Sequence, residues 1–340
     1  MNLAKEDLQW LLLGGLFSVL LLLGSATFGA YPLSAADLWA LLSGQTQAGA
    51  SYFLFWQIRL PRLLMAYAVG AALGLSGAGV QGLFQNPLAE PSLIGVQGGS
   101  MLAAAIYLVL IGPLLGSYSL WGLPLFAFLG AILACLGVYR MSTLNGRTYT
   151  ASMLLAGVAI TALCGAFTGL LTYFSDEAQL RDFTFWSLGS LAGSSWSNLL
   201  ILLICLLPAL FILLPMGPAL NALLLGETEA QYMGWSSQKI KWKVLFAASL
   251  AVGASVALSG SIGFIGLLAP HLIRLWRGSN QRFLLPASAM LGGCLLLLAD
   301  TFARCLLAPQ ELPLGVLTTL LGAPLFFYLV LQARGRHQLV

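Results

Sequence analysis

Residues 10–29 read WLLLGGLFSVLLLLGSATFG, an uninterrupted apolar run with no charge in it. A helix needs roughly 20 largely apolar residues to cross the hydrocarbon core of a bilayer, and this run has that length. Its flank, Lys5-Glu6-Asp7, is not net positive and the run is long for a secretory leader, so it reads as an uncleaved first span. Similar runs recur to the C-terminus with only short polar interruptions. In hydrocarbon every backbone polar group must find its partner inside the chain, and these runs lack the in/out alternation of a barrel strand. Helices are the remaining solution.

Composition carries the same message. Of 340 residues, 59% are hydrophobic and 8% are charged, against about one quarter charged in soluble proteins. So little charge cannot cover a soluble surface. The expected architecture is therefore all-α and polytopic, one membrane domain over 1–340. Its spans are expected at 10–29, 62–81, 92–111, 118–139, 150–172, 190–213, 243–258, 263–275, 284–302 and 313–332. Ten crossings put both termini on one side. With the N-terminus inside, cytoplasmic segments hold Lys5, Arg140, Arg147, Lys239, Lys241, Lys243, Arg274, Arg277, Arg282, Arg334 and Arg336. Arg59, Arg62, Arg181 and Arg304 remain outside, the asymmetry expected from retention of Lys and Arg in the cytoplasm. The stretch 263–275 is too short to cross alone and carries Pro270 and His271, so it is expected to be a broken or re-entrant piece.

Chemistry has little foothold. Cys135, Cys164, Cys205, Cys294 and Cys305 show no paired spacing, and His271 and His337 lie far apart, so no metal site is expected. Lysine occurs only at 5, 239, 241 and 243, and none follows a glycine, so the phosphate-cradling G-x-x-x-x-G-K-[ST] pattern is absent. ATP-driven transport would need a second polypeptide. An ion-coupled carrier would need a carboxylate within the membrane, and Asp300, near the outer end of its span, is the residue closest to that description. Small residues four apart between Gly70 and Gly79 read as a helix-packing face.

Two segments suggest partners. The connection 215–241 mixes apolar residues with acids around Gly226, which fits two short helices presenting Leu223, Ala230 and Tyr232 outside the bilayer. On the other side, Arg59, Arg62 and Arg304 would suit a carboxylate-bearing partner, because guanidinium groups pair bidentately with carboxylates.

At these residues the chain resembles the permease family of ABC importers for vitamin B12, haem and ferric siderophores. The match runs through Arg59-Leu-Pro-Arg62, Gly70-Ala-Ala-Leu, Ser76-Gly-Ala, Gln81 and Asn86-Pro87-Leu-Ala89. It continues through Gly260-Ser-Ile-Gly-Phe-Ile-Gly-Leu-Leu-Ala-Pro270-His271, Arg274, Leu284-Leu-Pro286, Ala299-Asp300, Ala303-Arg304, Glu311-Leu-Pro-Leu-Gly315 and Gly322-Ala-Pro324. The resemblance implies a type II importer permease, a homodimer with about ten helices per subunit in a bacterial inner membrane, both termini cytoplasmic. It implies two copies of an ABC ATPase, which bind ATP and Mg, and one periplasmic binding protein. No cofactor on this chain and no nucleic-acid partner are expected. By the same resemblance 215–241 is the coupling segment, with Asn221, Leu225, Gly226, Glu227, Ala230 and Gly234 matching its pattern. Arg59, Arg62 and Arg304 then dock acidic residues of the binding protein, and Thr150 matches a gate residue. The stretch Ser175 to Gly193 resembles the haem and siderophore branches, which ranks haem first and leaves a ferric siderophore or cobalamin as alternatives.

Overall fold

The computed structural model describes residues 5–29, 31–45, 48–114, 121–308 and 310–337. The expected start of the fourth span at 118–120 and the side chains of Arg334, Arg336 and His337 lie outside the described residues. In chain order the helices are α1 (Lys5–Thr27), α2 (Ala35–Leu42), α3 (Ala50–Phe53), α4 (Leu60–Phe84), α5 (Val96–Ile106), α6 (Gly112–Leu114) and α7 (Gly122–Met141). A two-stranded antiparallel hairpin follows, β1 (Thr143–Leu144) and β2 (Arg147–Thr148). Then come α8 (Thr150–Phe174), α9 (Glu177–Ser187), α10 (Trp196–Leu213), α11 (Gly217–Leu224), α12 (Glu227–Tyr232), α13 (Ser237–Ser259), α14 (Ile265–Arg277), α15 (Gln281–Leu306) and α16 (Leu314–His337).

Among the described residues, eight helical stretches are long and apolar enough to cross a bilayer. The short α14 and the terminal α16 stand at the other two expected positions, outside those eight. Boundaries moved where local signals won over hydropathy. The second span starts at Ala50 rather than 62, because a π-helical turn at Leu54–Arg59 joins α3 to α4 without a break. The sixth starts at Trp196 rather than 190: Gly189 turns left-handed (φ 76°) and Ser195 caps α10 by accepting the Asn198 N–H. The unforeseen α9 begins at a capping box in which Asp176 and Gln179 exchange hydrogen bonds.

Helix α4 is the buried axis of the bundle, and its glycines explain why. A Cβ on Gly70 would lie 2.2 Å from the Gly292 carbonyl oxygen, one on Gly74 2.2 Å from that of Ser288, and one on Gly77 1.7 Å from that of Gly266. Backbones of α15 and α14 therefore rest directly on α4, the close approach that small residues allow where lipid gives little hydrophobic drive for association. Pro270 contributes to the last contact. It has no N–H, so the Gly266 carbonyl four residues earlier lacks its helical partner and points instead at the Gly77 backbone.

Helix α14, with 13 residues, rises only about 20 Å, two-thirds of the roughly 30 Å core. It is therefore too short to cross alone, as the sequence reading of 263–275 expects. Phe264, in the left-handed region (φ 67°), makes the bend that starts it. The bundle has a basic end, where Arg277 pairs with Asp7 at 2.9 Å and Asn221 meets Asn280 at 2.8 Å. The opposite end gathers Tyr31, Arg59, Arg304 and Glu311.

Candidate functional site

At the basic end the connection after α10 folds as expected into two short helices, broken at Gly226, whose φ of 130° needs a glycine. Which side chains face outward differs from the sequence reading. Leu223 and Ala230, expected to face a partner, are 1% and 0% exposed because they pack α11 and α12 onto the bundle. The outward ledge consists of Leu225, Tyr232 and Met233, exposed by 67%, 88% and 59%. Asn221 fixes α11 to α15, donating to Asn280 and accepting the Gln281 N–H at 2.8 Å each. Gly234 (φ 84°) ends α12.

Glu227 turns inward. Its carboxylate accepts from Lys241 at 2.6 Å and Ser237 at 2.7 Å, with the Thr150 hydroxyl 3.5 Å away. Burial opposes its ionisation, but the Lys241 and Ser237 hydrogen bonds outweigh that and hold the carboxyl below its ordinary value. Thr150 thus opens α8 beside α12 of the 215–241 connection. Lys241, counted from sequence as a loop charge, is instead a buried helical residue. Its signal was periodicity: Ser237, Ile240, Lys241, Val244 and Leu245 share the buried face of α13, whereas Lys239 and Lys243 are not buried.

At the opposite end all three arginines expected to face a partner are buried. Arg62 forks onto Glu311 through two bonds of 2.7 and 2.8 Å and onto Asp300 at 2.8 Å. Arg304 Nε reaches Asp300 at 3.0 Å, and Arg59 donates to the carbonyls of Ala26 and Tyr31. The bidentate carboxylate pairing is present, but its carboxylates belong to the chain itself. Asp300, fully buried, is the hub that two guanidinium groups neutralise. Arg62 holds the half-exposed Glu311 carboxyl below its ordinary value, first by hydrogen bonding and then by charge, against the opposing effect of burial.

A further partnered carboxylate, Glu90, escaped the sequence reading. Asn86 accepts the Leu88 N–H across Pro87 at 2.9 Å, a tight turn that sends the chain back into the bundle. Glu90 then accepts the Phe264 N–H at 3.1 Å, at the start of α14, and the Ser92 hydroxyl at 3.1 Å. Beside it lies a half-open cleft of about 480 Å³ lined by Glu90, Gln97, Ser261, Phe264 and Thr319. Pro270 and His271 lie one to two turns further along α14. Only the fold could reveal Glu90's contact with the start of α14, since in sequence it sits in a short interhelical connection.

The FecCD transport family model matches residues 16–332. The chain is 45% identical over 320 residues to the hemin transport system permease protein HmuU of Yersinia pestis, covering 93% of each chain. It is 43% identical over 287 residues to the vitamin B12 import system permease protein BtuC of Vibrio vulnificus, covering 84% of each. Among solved structures, a metal-chelate type ABC transporter in an inward-facing conformation superposes with a TM-score of 0.84 at 35% identity, over 95% of this chain and 99% of that one.

Proposed function

The chain belongs to the FecCD transport family, and from that premise we propose that it carries haem inward across a bacterial inner membrane, powered by a separate ATPase. The observation that supports an external motor is the ledge of Leu225, Tyr232 and Met233, an apolar surface held outside the bundle at its basic end. A carrier complete in itself has no use for such a surface, whereas a docked ATPase covers it. Both termini and this ledge are then cytoplasmic, in keeping with the distribution of Lys and Arg.

Two copies would enclose the path, which opens alternately to either side as the ATPases close and reopen. Nucleotide drives the cycle because it binds the closed ATPase pair better than the open one, the condition for any ligand to shift an equilibrium. Thr150, in the first turn of α8 beside Glu227, is the proposed inner gate. A binding protein would deliver substrate at the opposite end. Its acidic groups would reach Arg59, Arg62 and Arg304 only by competing with Asp300 and Glu311 and with the Ala26 and Tyr31 carbonyls.

Haem is favoured by the 45% identity to the hemin permease over 93% of both chains. Cobalamin is the second reading, supported by 43% identity to a vitamin B12 permease. The test is uptake into liposomes holding this chain and its ATPase, with binding protein loaded with haem, cobalamin or a ferric siderophore. ATP-dependent accumulation of haem alone is expected. Accumulation of cobalamin alone would transfer the assignment to the second reading. Uptake driven by a pH gradient without any ATPase would overturn the importer mechanism.

A further inference from the structure

Movement of the ATPase-facing ledge can open a gate only if something ties that ledge to α8, and α12 itself is a six-residue helix at the edge of the bundle. We propose that Lys241 is the positioning residue that makes this tie, so that α12, the first turn of α13 and the hairpin leading into α8 move as one body. The proposal rests on the importer reading above.

Two bonds of Lys241 carry it. Lys241 lies on α13 with its side chain 1% exposed, and its ammonium donates to Glu227 of α12 at 2.6 Å and to the Thr148 carbonyl of β2 at 2.5 Å. Thr148 is two residues before α8. The hairpin is clamped a second time: Gln238, one turn earlier on α13, accepts the Thr148 N–H at 3.0 Å and donates to its hydroxyl at 2.6 Å and to Tyr139 of α7 at 2.8 Å. Ser237 completes the contact to Glu227 at 2.7 Å. One buried cation therefore joins a helix on the ledge side to the strand that starts the gate helix.

The physical force of the tie is asymmetric. If α12 withdrew alone, Glu227, already half-exposed, would hydrate, but the Lys241 ammonium would stay buried without its counter-ion. Removing one partner of a buried pair is far costlier than replacing the pair by apolar groups. Separation of α12 from the hairpin is thus disfavoured, and a push on Leu225 or Tyr232 reaches Thr150. The hydroxyl of Thr150 lies 3.5 Å from the same Glu227 carboxylate, so gate and ledge converge on one group.

The test uses Lys241→Met in the complete complex with its ATPase and binding protein. Methionine fills the buried channel without a charge, and the Glu227 left behind can reach water, so folding and ATPase capture should survive. Hydrolysis should stay within about twofold of wild type while substrate moved per ATP falls about tenfold, a split that loss of stability alone does not produce. Lys241→Arg, which keeps a cation within reach of both Glu227 and the Thr148 carbonyl, should restore most of the ratio. Wild-type stoichiometry in Lys241→Met would overturn the proposal. If wild type itself shows no ATP-driven uptake, the importer reading fails instead.

A second measurement does not depend on the variant folding. Spin labels at Leu144→Cys on the hairpin and Gln231→Cys on α12, both exposed sites, report their separation with and without ATP. One rigid body requires the distance to hold within about 2 Å, well under the one-turn displacements of roughly 5 Å seen when elements slide past one another. A change of that larger size would show the tie to be broken in the cycle.

Discussion

Replacing Gly77 with alanine tests the packing that positions every site described above. A Cβ there would stand 1.7 Å from the Gly266 oxygen and 2.6 Å from its carbon, both backbone atoms that cannot rotate away. To bring that oxygen out to even 3.0 Å, the lower edge of what real Cβ atoms tolerate, α14 must leave α4. Overpacking of a filled core costs about 1–3 kcal/mol, and a backbone obstacle belongs at the upper end of that range. Alanine returns about 1 kcal/mol through its helix propensity, leaving a net loss near ~2 kcal/mol. At Gly24 in α1 an added Cβ would meet nothing within 4 Å, so Gly24→Ala keeps the propensity gain alone. Thermal unfolding of the detergent-solubilised protein, followed by tryptophan fluorescence, should place Gly77→Ala roughly 4–8 °C below wild type, at about 2–4 °C per kcal/mol. Gly24→Ala should melt at or slightly above wild type. Equal melting of the two variants would refute the close approach of α14 to α4.

Three further outcomes follow from the charges and the ledge. Asp300→Asn leaves Arg62 and Arg304 without their shared counter-ion and should cost about 3–5 kcal/mol, whereas Glu311→Gln at the half-exposed end of the cluster should cost about 1 kcal/mol; equal losses in melting temperature would show that Asp300 is not the hub. Tyr232→Asp should abolish capture of the ATPase in pull-down while shifting stability by no more than about 0.5 kcal/mol, as exposed positions do; Leu223→Asp should instead unfold the chain, and the reverse ranking would relocate the docking surface. Glu227 and Glu311 both titrate below the ordinary 4.5. A carboxyl depressed by folding contributes stability that is complete above its unfolded value and lost as pH falls through the folded one. Melting temperature should therefore be level from neutral pH to about 5 and fall below about 4.5, with a shallower acid limb in the double variant Glu227→Gln, Glu311→Gln.

The helical, many-span architecture was legible because bilayer thickness sets a minimum length of apolar run for a crossing. The small-residue face from Gly70 to Gly79 was also readable, since nothing but close helix contact accounts for its spacing. Charge was the poor guide. Arg59 and Arg62 look in sequence like the polar boundary of a span, yet a continuous helix runs through them from Ala50, because Arg62 finds Asp300 and Glu311 more than two hundred positions later. Nothing local to Arg59-Leu-Pro-Arg62 announces those partners. Lys241 misleads in the same way, and only the burial period of α13 separates it from Lys239 and Lys243. The ledge falls on the expected segment and includes the expected Tyr232, but Leu223 and Ala230 turn inward, since six- and eight-residue helices offer too few turns for periodicity to orient them.

These pairings also bear on what drives transport. A carrier running on an ion gradient must let a membrane carboxylate gain and lose its proton or cation in each cycle. Among the described residues, Asp300 is a fully buried carboxylate and Glu90 a partly buried one at the start of α14, and each already has structural partners. Asp300 is bonded to two buried guanidinium groups, so its protonation would leave net positive charge where water is scarce. Glu90 accepts the Phe264 N–H that starts α14, so its release would free the bend on which the short helix depends. Using either as the coupling group would disturb the architecture at every turnover. The apolar ledge at the basic end can instead be pushed without breaking a buried ion pair, provided α12 and the hairpin move together, and that makes an external motor the economical source of force for this fold.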